Sequence, residues 1–209
     1  MTSALTATAD HTVSGDAPGK PDAFRLRLLD GLAASIGERG YRASTVADIV
    51  RNARTSKRTF YDHFASKEEC FLELLRADIE KLGERIAGAV DRDADWQEQI
   101  RQAVEAYVGH MESRPAITLS WIRELPSLGA IARPAQRRGL QVLSDLLIGL
   151  SASPGFRRAS LPPLTAPLAV ILLGGLRELT ALAVEDGRAA REIVEPAVDA
   201  SVALLGPRL

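Results

Sequence analysis

The sequence predicts an all-α fold in two parts, a small three-helix N-terminal unit containing a helix-turn-helix and a larger helical unit behind it. From Pro21 onward apolar residues recur at the three- and four-residue spacing of amphipathic helices, and no stretch alternates between hairpin turns. Two capping signals, Thr45 with Asp48 and Ser66 with Glu69, bracket a segment just long enough for a tight turn and two helical turns. At 209 residues, 46% apolar and 25% charged, the chain can bury a real core.

The elements follow in order. Residues 1–20 have neither a basic leader nor an apolar run and are expected to form a disordered arm. Phe24, Leu28, Leu32 and Ile36 mark the first helix, which Gly40 stops. Thr45 and Asp48 start a short helix, Val46 to about Asn52, and Ala53 to Phe64 hold a turn and a further helix. Ser66 and Glu69 open a long one through Phe71, Leu74, Leu75, Ile79, Leu82 and Ile86 towards Val90. Helices are then expected near 95–113, 116–124, 130–151, 163–185 and 189–205, divided by Pro115, Pro126, the SASPG turn, Pro162-Pro163 and Asp186-Gly187. The expected division is 1–20 arm, 21–66 helix-turn-helix unit, and 67–209 helical unit.

A formal net charge of −1 gives the whole molecule no attraction for polyanions, so the position of charge matters. Between Arg42 and Lys67 six cations (Arg42, Arg51, Arg54, Lys57, Arg58, Lys67) stand against Asp48 and Asp62, a local charge of +4. The lone Cys70 excludes an internal disulfide and a multi-cysteine zinc site, fits a cytoplasmic setting, and sits where a packed thiol is expected. Its three histidines have no ligand spacing, and H-E-x-x-H, G-x-S-x-G and P-loop patterns are missing, so neither a metal, a cofactor nor an enzyme is expected. The longest apolar stretch, Leu168 to Leu176, falls short of the ~20 residues of a membrane span.

The run from Thr45 to Leu75, TVADIVRNARTSKRTFYDHFASKEECFLELL, resembles the signature of the TetR family of transcriptional regulators, T-V-x-x-I-A-x-x-A-G-V-S-x-x-T-F/L-Y-x-H/Y-F-x-S-K-E-x-L. Thr45, Val46, Ile49, Ala53, Ser56, Thr59, Phe60, Tyr61, His63, Phe64, Ser66, Lys67 and Glu68 match it, and the resemblance covers roughly residues 24–75. It implies a DNA-binding N-terminal domain and a C-terminal domain for ligand binding and dimerisation. Ser56 to His63 would be the recognition helix, with Lys57, Arg58 and Thr59 nearest the base edges of double-stranded DNA. Tyr61 and His63 would touch the sugar-phosphate backbone, Thr45 and Lys67 would donate to phosphates, and Phe60 and Phe64 would face the core. Arg54 and Thr55 depart from the pattern at the family's Gly-Val; Arg54 implies modest strain in a left-handed turn and one more phosphate contact.

The segment Leu164 to Val184 is apolar on nearly every face, and the last helix carries Ile193, Val194, Ala197, Val198, Val202 and Leu205. Either these helices pack on their copies in a homodimer, with Gly174 and Gly175 permitting close approach, or they are buried within the chain. By the resemblance, a small-molecule effector enters the middle helices; Tyr107, His110, Met111, Trp121 and Phe156 are the side chains expected to line its site, and an apolar or aromatic effector is expected. The function expected is a repressor released from an inverted-repeat operator by that ligand. The alternatives are a regulator of the same fold controlled by a partner protein, and a helical enzyme.

Overall fold

A computed structural model describes residues 23–207. The expected arm, 1–20, lies outside the described residues, as do the first two residues of the expected 21–66 unit. Every regular element described is helical: α1 Ala23–Ala43, α2 Val46–Asn52, α3 Lys57–His63, α4 Lys67–Ala89, α5 Trp96–Ser113, α6 Pro115–Leu119, α7 Arg133–Ser151, α8 Pro154–Arg158, α9 Ala166–Glu185 and α10 Val194–Leu205.

The apolar stripe of α1 buries Leu28, Leu32 and Ile36, and Gly40 (φ 78°, ψ 163°) breaks the helix where a side chain would oppose that backbone. Thr45 and Asp48 form the expected capping box on α2. The close crossing of α1 and α2 depends on Gly31, where a Cβ would meet the Ile49 carbonyl oxygen at 2.6 Å. Phe60, Phe64 and Phe71, all at most 1% exposed, join these residues in a first core. A second core gathers Leu82, Ile86, Val104, Tyr107 and Met111 with residues of α7, α9 and α10.

Helix α4 belongs to both cores: Cys70, Phe71, Leu74 and Leu75 pack in the first, Ile79, Leu82 and Ile86 in the second. The first core therefore does not end at residue 66. It also takes in Ile117, Leu125 and Ala132, from a stretch that the sequence reading placed wholly in the second unit.

Between α6 and α7 the predicted helix gives way to a π-helical turn, Ser120–Glu124, and a 3₁₀ segment, Leu125–Ile131. Pro126 removes an amide donor there, and Gly129 turns to φ 63°, so α7 starts at Arg133 rather than near 130. Helix α8 was missed in the SASPG turn: Ser153 caps it through the Phe156 amide and Pro154 takes its first turn. A 3₁₀ turn, Ala190–Ile193, precedes α10.

Helix α9 covers Ala166–Glu185, within the expected 163–185. It is the one helix among the described residues long and apolar enough to cross a membrane, because Arg177 and Glu178 interrupt its apolar run instead of ending it. One side is buried at Ala169, Leu172 and Leu173; Val170, Ile171, Leu179 and Leu182 are exposed, Ile171 by 59%.

Candidate nucleic-acid interface and effector cavity

Local chemistry sets the turn between α2 and α3. The Thr55 amide donates to the Val50 carbonyl (2.9 Å) and the Arg54 amide to that of Arg51 (3.2 Å), the two bonds of a Schellman ending. Its left-handed position is filled by Arg54 at φ 51°, where glycine is the unstrained choice. Ser56 then caps α3 by accepting from the Thr59 amide at 3.1 Å, and its hydroxyl also meets that of Thr59 at 2.9 Å.

Burial of Phe60 and Phe64 fixes the rotation of α3. Lys57, Arg58 and Tyr61 consequently face out, Tyr61 with 59% of its surface open, while Thr59 is half-buried. His63 is half-buried with its ring beside that of Phe24, centroids 6.5 Å apart. Arg25 donates to the His63 carbonyl (3.2 Å) and lies over Phe64, fastening the end of α3 to α1.

The six cations separate into two groups. Arg42 pairs with Glu124 (2.6 Å) and Arg51 with Asp48 (2.8 Å). Lys67 donates to the carbonyls of Tyr41 (3.2 Å) and Ser44 (2.9 Å) and lies over the Tyr41 ring. The side chains of Arg54, Lys57 and Arg58 are exposed with no hydrogen bond or salt bridge among the described residues. The uncompensated charge thus sits on the turn and on the first residues of α3.

Two of the side chains expected at phosphates are engaged within the chain. The Thr45 hydroxyl donates to Asp48 Oδ2 at 2.7 Å, so its hydrogen is already used inside the cap. Lys67 braces the α1–α2 turn, its ammonium drawn inward by the Ser44 carbonyl and by that of Tyr41, which also accepts from the Ser44 amide (3.2 Å). Hydrogen bonds from Thr45, reinforced by Arg51 and Arg39, hold the Asp48 carboxyl down at about 2. Burial pushes the Cys70 thiol up to about 12, as a packed thiol requires.

Of the five side chains expected around an effector, two meet at one place. Tyr107 and Phe156 line a cavity of about 70 Å³ in the second core, with Ile86, Leu172, Leu173 and Leu176. Trp121 lies outside it. His110 is buried on Asp78 (3.2 Å), which also holds Arg114 (3.3 Å), and Met111 accepts a hydrogen bond from the Thr118 hydroxyl. Sequence reasoning missed the aliphatic wall and three polar residues, Gln99, Ser151 and Ser201. Those three present little polarity: the serine hydroxyls donate to Ile148 and Ala197 carbonyls, and Gln99 is tied to Ser153, Arg92 and Ala94. Composition carries no signal for such a wall, since core leucines and cavity leucines look alike in sequence.

Residues 28–74 match the sequence profile described as bacterial regulatory proteins, tetR family. Over 83 residues the chain is 41% identical to the HTH-type transcriptional repressor KstR2 of Mycobacterium tuberculosis, covering 40% of this chain and 42% of that protein. It is 32% identical over 91 residues to the HTH-type transcriptional activator FasR of Mycolicibacterium smegmatis, covering 44% and 42%. The match thus spans about two fifths of the length of these curated relatives. The fold is shared over a longer stretch with the fatty acid degradation regulator FadR of Bacillus halodurans (TM-score 0.71, 20% identity, 90% and 97% of the two chains). FadR of Bacillus subtilis in complex with stearoyl-CoA is similar at TM-score 0.74 and 17% identity, over 87% and 99%.

Proposed function

We propose that the chain is a TetR-type regulator, a cytoplasmic, homodimeric, ligand-responsive transcriptional repressor rather than an enzyme, a reading that the match of residues 28–74 to the tetR-family profile supports. The observation that carries the reading is the outward row of Lys57 and Arg58 on a helix whose Phe60 and Phe64 are locked in the core. A helix of this kind fits the major groove, and guanidinium and ammonium groups suit guanine edges. Arg54 and Tyr61 flank that row as phosphate contacts, with Ser56 and Thr59 setting the start of the helix.

A repressor is the sign that the KstR2 relatives' names support, whereas FasR is named an activator. The nearly wholly apolar cavity favours an apolar effector, and the B. subtilis FadR neighbour holds stearoyl-CoA. Ile86 on the cavity wall and Phe71 in the first core lie on the same helix, about 22 Å apart at ~1.5 Å per residue, so displacement at one end is carried to the other. Homodimerisation would pair the exposed apolar stripe of α9 (Ile171, Gly175, Leu182) and Leu204 of α10 with their copies. Two α3 helices would then read half-sites roughly 34–36 Å apart.

Selection of bound duplexes from a randomised pool at two salt concentrations tests this. Enrichment of one inverted repeat is expected, with affinity falling steeply as salt rises. Arg58→Ala is expected to weaken operator binding by about 1–3 kcal/mol and to relax base preference, with an unchanged melting temperature. A well-folded protein without DNA affinity would overturn the proposal.

A further inference from the structure

The cavity in the second core is too small to hold an effector by itself. At about 70 Å³ it falls well below the ~300–1,000 Å³ of ordinary ligand sites, so a bound molecule must extend beyond it. Tyr107 and Leu173 form its wall towards an open groove of about 530 Å³ between α7, α9 and the segment around Trp121. This groove carries Arg137 of α7 and Arg177 of α9, both exposed and neither with a side-chain hydrogen bond or salt bridge among the described residues, and no carboxylate lines it.

The contrast with the neighbouring groove between α4 and α7 is instructive. There Arg25 and Arg76 pair with Glu73, and Arg76 also with Glu80, so the charges are compensated from within. In the Arg137–Arg177 groove two like charges from different helices stand at a concavity that no carboxylate lines, and Glu178, the acid beside Arg177, is already held by Arg123 (2.9 Å), an arrangement that favours an anion from outside. Val170, Leu173, Gly174 and Arg177 share one side of α9 by helical spacing, while Ile171, Gly175 and Leu182 share another, so the groove and the self-association stripe occupy different faces.

We propose that the effector is an anionic amphiphile, with a slender apolar tail in the cavity beside Phe156 and a carboxylate or phosphate head held in the groove by Arg137 and Arg177. Tyr107 and Leu173, buried at 4% and 8% exposure, are the partition that must swing aside for the tail to pass. This rests on the apolar-effector reading above and adds the headgroup to it.

The test is calorimetric titration of the full-length protein with decanoate, decyl phosphate and decanol, each below its aggregation concentration. One or both anions are expected to bind at least tenfold more tightly than decanol, and the stronger one identifies the head. In the Arg137→Gln/Arg177→Gln double variant the anions are expected to fall to the level of decanol, with decanol itself unchanged. Equal binding of all three by the unmodified protein, or an anion preference that survives in the double variant, would overturn the headgroup site while leaving an apolar effector standing. No binding of any of the three would overturn both readings.

Discussion

Arg54 shows how one residue is read twice by the same physics. A left-handed residue with a Cβ is disfavoured by about 1–2 kcal/mol, and the Schellman bonds around it place φ at 51° regardless. Arg54→Gly is therefore expected to raise unfolding stability by about 1 kcal/mol, measured by denaturant titration. The same change removes an uncompensated cation beside α3, so the slope of log affinity against log salt for DNA is expected to flatten by about 1. Stability without a change in salt slope would show that Arg54 touches no phosphate. The strain was visible in sequence because turn chemistry is local. The true setting of His110 was not: its partner Asp78 lies 32 residues away on another helix, and no local pattern brings the two together.

At the scale of elements, caps were read well and bonds to distant backbone poorly. The capping box at Thr45 and the Ser66 cap stand where hydroxyl and carboxyl spacing put them, whereas the Ser56 cap, which has no carboxyl partner three residues on, was not read. Helix α8 escaped because five residues carry no periodicity, and the π and 3₁₀ turns before α7 arise from packing around Pro126 and Gly129. Lys67 is the instructive case, since a cation at the start of α4 looks like a phosphate ligand until its bonds to the carbonyls of Tyr41 and Ser44 are in view. Lys67→Met is expected to lower stability by about 1–2 kcal/mol, as loss of charged hydrogen bonds to backbone does, and to leave the salt slope of DNA binding unchanged. A slope that falls by about 1 with stability intact would return Lys67 to the phosphate backbone.

Among the described residues, helix α4 runs through both cores, Ile117, Leu125 and Ala132 extend the first, and an apolar face is left open. Helix α4 and the ion pair of Arg42 with Glu124 fasten the helix-turn-helix unit to the helices behind it. Sequence composition showed that α9 is apolar all round but could not say which side the chain itself covers; that depends on α7 and on the ties of Arg123 to Glu178 and Glu185, formed across 55 and 62 residues. Ile171, at 59% exposure, and Leu182, at 43%, lie on the stripe left uncovered. If that stripe is the self-association face, a charge at its centre is desolvated when copies meet. Ile171→Arg is then expected to weaken the dimer by about 2 kcal/mol or more, about 30-fold in dissociation constant, as read by sedimentation equilibrium. Helical content should be unchanged, since the substituted side chain is mostly in solvent in the free chain. Operator affinity should fall with the dimer, because one seven-residue α3 reads only half of an inverted repeat. A variant that remains dimeric and binds the operator normally would place the interface elsewhere, whereas a monomeric unmodified protein would remove the two-fold reading altogether.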